Sequence, residues 1–210
     1  MVLYTIKTDG SAELVIEKSR FICHLKRVHS KEQAYEYIKE LKKANWDATH
    51  NCSAFIIGEQ GMIQGSSDDG EPSGTAGIPM LEVLKKKNLH DVVAVVTRYF
   101  GGIKLGAGGL VRAYSKSVSN ALEQIGIVQK IEVGEYLLEM DIVSAGKALN
   151  ILYQQTLFQV ANIDYQETAR IYLHFKQADQ EQVLAELTEL LQMSVELEPV
   201  SASYIEADVE

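Results

Sequence analysis

The chain has 210 residues, 46% of them hydrophobic, and a formal net charge of −9, which is enough apolar mass for a core in one domain or two small ones. No apolar run nears the roughly 18 residues that cross a bilayer, and residues 1–4 open no basic-then-apolar leader, so the expected compartment is the cytoplasm. Cys23 and Cys52 alone exclude a disulfide framework and supply too few ligands for a zinc site, so neither a metal nor a cofactor is expected.

Charge divides the chain. Residues 1–130 carry 17 basic and 14 acidic side chains, net +3, whereas residues 131–210 hold only Lys147, Arg170 and Lys176 against 15 acids, net −12. We expect two domains, 1–130 and 131–210, meeting near 129–134 without a free linker. The acidic half would be repelled by nucleic acid; the first half would not.

In chain order, residues 3–7, 13–17 and 20–28 alternate like a β-meander. Ser30 with Gln33 three residues on forms a capping box, and Ala34, Tyr37, Ile38 and Leu41 make the buried stripe of a helix over 31–44. Strands at 51–57 and 62–65 follow, joined by a hairpin-length turn at 58–61. His50 and Cys52, two apart on one strand face, could be an activated thiol pair, but a buried cysteine beside a hydrogen-bonded histidine is the commoner outcome.

The polar loop 66–77 gathers Asp68, Asp69 and Glu71 within four positions, with Thr75 behind them. Such carboxylates could hold Mg²⁺, act as an acid–base pair, or orient neighbouring cations. The loop leads into a helix with Pro79 in its first turn and Lys85, Lys86 and Lys87 at its C-terminal end, where cations complement the dipole.

The run 91–97 is short and, from Val92 to Val96, continuously apolar and mostly β-branched, the mark of a central strand covered on both faces. Beyond it stand Gly101, Gly102, Gly106, Gly108 and Gly109, a loop that could approach an anion without Cβ interference. From Leu110 the apolar spacing is helical, so the loop is expected to end at a helix N-terminus with free N–H groups, beside Arg98, Lys104, Arg112 and Lys116. Together these compose a phosphate site. Neither G-x-x-x-x-G-K-[ST] nor G-x-G-x-x-G occurs in this segment, which argues against a mononucleotide loop.

The second half reads as strand 135–142, a helix begun by Ser144, strands 158–165 and 169–175, a helix over 179–192 and a strand over 194–204, the split βαβ, ferredoxin-like plan. In its second helix Val183, Leu184, Leu187, Leu190 and Leu191 form the expected packing stripe. The whole chain is therefore expected to be of the α+β class.

At 68–81 (DDGEPSGTAGIPML) and 95–118 (VVTRYFGGIKLGAGGLVRAYSKSV) the chain resembles the IMPACT family, and the likeness covers essentially the whole chain. The resemblance implies that the first domain has the fold of elongation factor G domain IV, and that the C-terminal domain is ferredoxin-like. It implies a part in regulating translation; eukaryotic relatives interfere with activation of the kinase that responds to amino-acid starvation. It also implies an RNA- or ribosome-facing surface at Arg98, Gly101, Gly102, Lys104, Gly106, Gly108, Gly109 and Arg112, with Asp68, Asp69, Glu71, Thr75 and His50 matching the family strings and none of them catalytic. The expected function is a non-enzymatic regulator of translation that binds RNA, the ribosome or a ribosome-associated protein. The alternatives are a Mg²⁺-dependent enzyme acting on a phosphorylated or nucleotide-like small molecule, and a protein-docking adaptor using the acidic second domain.

Overall fold

Strand β6 (Val92–Tyr99) organises the first unit. Its side chains alternate between two cores: Val92, Ala94 and Val96 pack with helices α2 (Gly77–Lys86) and α3 (Gly106–Ile125), while Val93 and Val95 pack with helix α1 (Lys31–Ala44). A strand buried on both faces favours apolar side chains on each, which explains the unbroken run Val92–Val96; the buried Thr97 and Arg98 that follow are hydrogen-bonded, to Asn51 and Glu71. Around it lie β2 (Gly10–Ile16), β3 (Ser19–Arg27), β4 (His50–Ile57) and β5 (Ile63–Ser67), in the order β2–β3–β6–β4–β5, with every neighbouring pair antiparallel. The computed structural model describes residues 3–58 and 61–209; residues 59 and 60 of the expected turn at 58–61, like residues 1 and 2, lie outside the described residues.

Half of the capping box forms as expected, Gln33 N–H donating to Ser30 Oγ at 3.2 Å, while the Gln33 side chain reaches one residue past the cap and accepts from His29 N–H at 2.8 Å. The meander does not form. Strand β1 (Leu3–Ile6) pairs antiparallel with the start of β7 (Ile127–Met140), Ile6 opposite Ile127, and leaves β2 to pair with β3 alone. Alternation marks a strand without naming its partner. Here Ile6 is fully buried against the α3 side of the core, and Arg27 occupies the gap to β3, donating to the carbonyls of Ile6 and Lys7.

The chain divides into two compact units, residues up to Lys130 with 207–209, and Ile131–Glu206. The second contains β7 from Ile131 on, α4 (Ile142–Leu152), β8 (Gln159–Tyr165), β9 (Ala169–Phe175), α5 (Gln180–Leu191) and β10 (Glu198–Asp208) up to Glu206, with strands in the order β10–β7–β9–β8. That βαββαβ succession is the split βαβ plan. The cap of α4 is Asp141, whose carboxylate accepts from Ser144 N–H at 2.9 Å, so the helix starts before Ser144. On α5 the stripe is narrower than the spacing suggests: Val183 and Leu187 are buried, but Leu184 stays 36% exposed. Among the described residues no helix is long and apolar enough to cross a membrane.

Candidate functional site

Arg98 projects from β6 into the interior and is 5% exposed. Its Nη1 lies 2.6 Å from Glu71 Oε1, and its guanidinium sits over the rings of Phe21 and Phe100, 5.3 and 5.6 Å from their centroids. Glu71 Oε1 also accepts from the Tyr114 hydroxyl at 2.7 Å. Charge, hydrogen bond and ring faces thus meet on one guanidinium, the arrangement that makes a buried arginine tolerable. Burial pushes the Tyr114 hydroxyl well above the ordinary tyrosine range, so it stays a donor.

The acidic loop is a set of braces, each carboxylate with its own partners. Asp68 accepts from the N–H groups of Gly74, Ala76 and Gly77 at 2.8, 3.0 and 2.8 Å, and so supplies the cap that α2 lacks at Ala76. Burial alone would raise its pKa, but these three amides outweigh it and hold the carboxyl below its usual range. Asp69 accepts from Lys42 Nζ and Asn51 N–H, each at 2.6 Å, while its carbonyl accepts from His50 Nδ1 at 2.9 Å. Asp69 and Gly70, both at positive φ, form the corner of the turn that Glu71 N–H closes onto the Asp68 carbonyl. Thr75 is buried and donates to the Pro72 carbonyl at 2.6 Å. The donor set for Mg²⁺ is therefore absent from this loop: its three carboxylates point to three different places, and no cluster of His, Cys, Asp and Glu suited to a metal occurs among the described residues.

Cys52 faces the loop, not the histidine: its thiol donates to the Asp68 carbonyl at 3.0 Å, and burial pushes its pKa up to about 12. A thiol so placed is a core side chain.

The glycine segment departs from the expected loop because α3 begins at Gly106, four residues before Leu110. Only Gly101 and Gly102 precede the helix; Gly108 and Gly109 lie in its first turn. Gly101 answers to packing, since a Cβ there would run into the Lys18 carbonyl and Ser19 N–H. Gly106 answers to backbone geometry, turning the chain into the helix at φ +67° with open space beside it. The first turn of α3 has no side-chain cap and no acidic residue, so its amides are free for a ligand.

Two concavities flank that turn. One, of about 360 Å³, is lined by His50, Glu71 and Arg98 below and by Phe100, Leu105 and Leu110 among its apolar walls. The other, of about 430 Å³, runs along α3 and is lined by Lys104, Arg112 and Lys116, with Glu17 at its side. The four cations thus fall in two groups, with Lys104 bordering both. Periodicity could count Tyr114 only as an apolar helix position, and Phe100 carried no signal beyond its neighbours; their roles depend on what lies across the fold.

A profile described as the Impact N-terminal domain matches residues 17–122. The IMPACT family member YvyE of Bacillus subtilis is 48% identical over 206 residues, covering 98% of this chain and 94% of that one. YigZ of Escherichia coli is 36% identical, over 87% of this chain and 90% of its own length. A crystal structure described as a hypothetical protein superposes with a TM-score of 0.59 at 32% identity, covering 95% of this chain and 98% of that one. With relatives of this identity along nearly its full length, the chain belongs to the IMPACT family.

Proposed function

We propose that the chain is a regulator of translation that works in the cytoplasm and binds single-stranded RNA, on the ribosome or near it, through the groove along α3. The observation that carries this reading is the row of exposed cations Lys104, Arg112 and Lys116 along one groove, which begins beside a helix start with uncapped amides. Lysine and arginine beside a helix N-terminus form an electrostatic track for phosphates that asks for no base in particular. Family membership supports the translational setting, because the resemblance implies it, and the implied likeness of the first unit to elongation factor G domain IV belongs to the same reading. The net charge of −12 over residues 131–210 would keep that half off the RNA.

The test is filter binding of single-stranded RNA across a salt series, beside ribosome co-sedimentation. Three phosphate contacts give a log–log salt slope of about −2 for a single strand. Arg112→Ala and Lys116→Ala should each weaken binding of every sequence and flatten that slope. Absence of affinity at low salt, with unchanged co-sedimentation of the double variant, would overturn the reading.

A further inference from the structure

Phe100 is an exposed ring on a buried footing. The residue is 47% exposed, yet its backbone is pinned on both sides: Phe100 N–H donates to Thr49 Oγ1 at 3.0 Å, and the next amide, Gly101 N–H, to Ser19 Oγ at 3.1 Å. The Arg98 guanidinium lies over the ring, 5.6 Å from its centroid, and is itself held by Glu71 at 2.6 Å. A cation against one face steadies the ring and leaves the opposite face to whatever comes from outside. Nor is the ring an isolated apolar side chain. It forms one wall of the cavity of about 360 Å³, with Pro72, Leu105, Ala107 and Leu110 as the other apolar walls.

We propose that Phe100 is a stacking platform for RNA: an unpaired base, from the strand whose phosphates run along the cationic groove, enters the cavity and lies on the outer face of the ring. The proposal deepens the RNA-binding reading and rests on it for the strand. Lys104 borders both concavities, so a phosphate held there stands at the mouth of the cavity and carries its base to the apolar walls. That charge selects the occupant. An apolar side chain of a protein partner would fill the cavity and leave the row of cations unanswered, whereas a nucleotide answers both. Every base has a π-face, so stacking asks for a flat, unpaired ring and makes no choice among the four. A duplex, with its bases already stacked and paired, has none to offer. The platform therefore reads strandedness and leaves sequence unread.

The experiment titrates the full chain with uridine octamers, adenosine octamers and inorganic polyphosphate of similar length across a salt series. Phe100→Leu keeps the apolar bulk and removes the π-face. It should bind both octamers about tenfold more weakly at every salt concentration, with the salt slope unchanged because no phosphate contact is lost. Lys116→Ala should flatten the slope instead. Polyphosphate, which has no bases, should bind the parent and Phe100→Leu equally. Phe100→Trp should restore the parent affinity; combined with Trp46→Phe, which removes the chain's one native tryptophan, it should show fluorescence quenched by an octamer and not by polyphosphate. If Phe100→Leu binds the octamers as the parent does, stacking at Phe100 is overturned while RNA binding stands. If it weakens polyphosphate as much as RNA, the ring acts through the fold and the assignment is overturned as well. If the parent binds no strand at low salt, the RNA reading and the platform fall together.

Discussion

The guanidinium of Arg98 and the carboxylate of Glu71 meet at 2.6 Å with 6% and 4% of their side-chain surfaces exposed. A central strand and a surface loop 27 residues apart are thereby tied through charge. This arginine belongs to the fold before it belongs to any ligand.

Arg98→Ala should accordingly destabilise the first unit by about 3–5 kcal/mol, because Glu71 would be left charged and buried. Lys116→Ala, at an exposed position, should stay within about 0.5 kcal/mol of the parent. Urea unfolding of both variants checks the contrast. An Arg98→Ala protein as stable as its parent would show that the pair contributes nothing.

Tyr114→Phe removes one of the two donors to Glu71 Oε1 and leaves Arg98 in place. The expected loss is about 1 kcal/mol, the lower part of the range for a buried hydrogen bond. Its edge-on packing against Phe21, at a centroid distance of 5.4 Å, should survive, so near-ultraviolet circular dichroism should change little.

Asp68 has a folded pKa below its unfolded value of about 3.9. Its contribution is complete above that unfolded value and is lost as pH falls through the folded one. Asp91 adds to the same trend: burial would raise its pKa, but hydrogen bonds from His90 and Gly58 N–H and the nearby Lys130 charge hold it well below the usual range. Asp68→Asn keeps one oxygen for Ala76 and Gly77 but sets an NH2 group against Gly74 N–H, so it should cost about 1 kcal/mol at pH 7 and give a shallower fall in stability on acidification, approaching the parent once the pH lies below the folded pKa of Asp68. Unfolding midpoints measured between pH 7 and pH 2 test it.

Gly101→Ala and Gly108→Ala should move stability in opposite directions. The first forces a Cβ into the backbone at Lys18 and Ser19. The second places a methyl in the first turn of α3 with its nearest neighbour, Arg112 Nη1, 3.8 Å away, and should gain about 0.5 kcal/mol through helix propensity. Thermal midpoints separate them; a parallel loss would mean that the α3 start is more crowded than the geometry shows.

Cys52, with burial pushing its pKa up to about 12, should resist thiol reagents at pH 8 until the protein unfolds. Labelling with and without denaturant measures this directly.

Much of the fold was legible because β6 shows an unbroken apolar run and α1 its helical periodicity, and Ser30 and Gln33 announce a helix start. The partner of β1 was not, since Ile6 seeks a core and no local pattern says which strand flanks it. The site divided in the same way. Arg98, Lys104, Arg112 and Lys116 stood out as cations, but which of them is buried depends on Glu71, and nothing between residues 71 and 98 encodes their meeting. Asp68 read as one of three equivalent acids; its use as the cap of α2 appears only when the loop closes on Gly74, Ala76 and Gly77.

That cap sets a ruler on the chain. One carboxylate at position 68 gathers amides at 74, 76 and 77, while three residues on Glu71 must reach Arg98. A residue added or removed between 68 and 77 would break one appointment to keep the other. Surface loops usually absorb such changes in length; this one should tolerate substitution at Ser73, which is exposed, far better than it tolerates insertion.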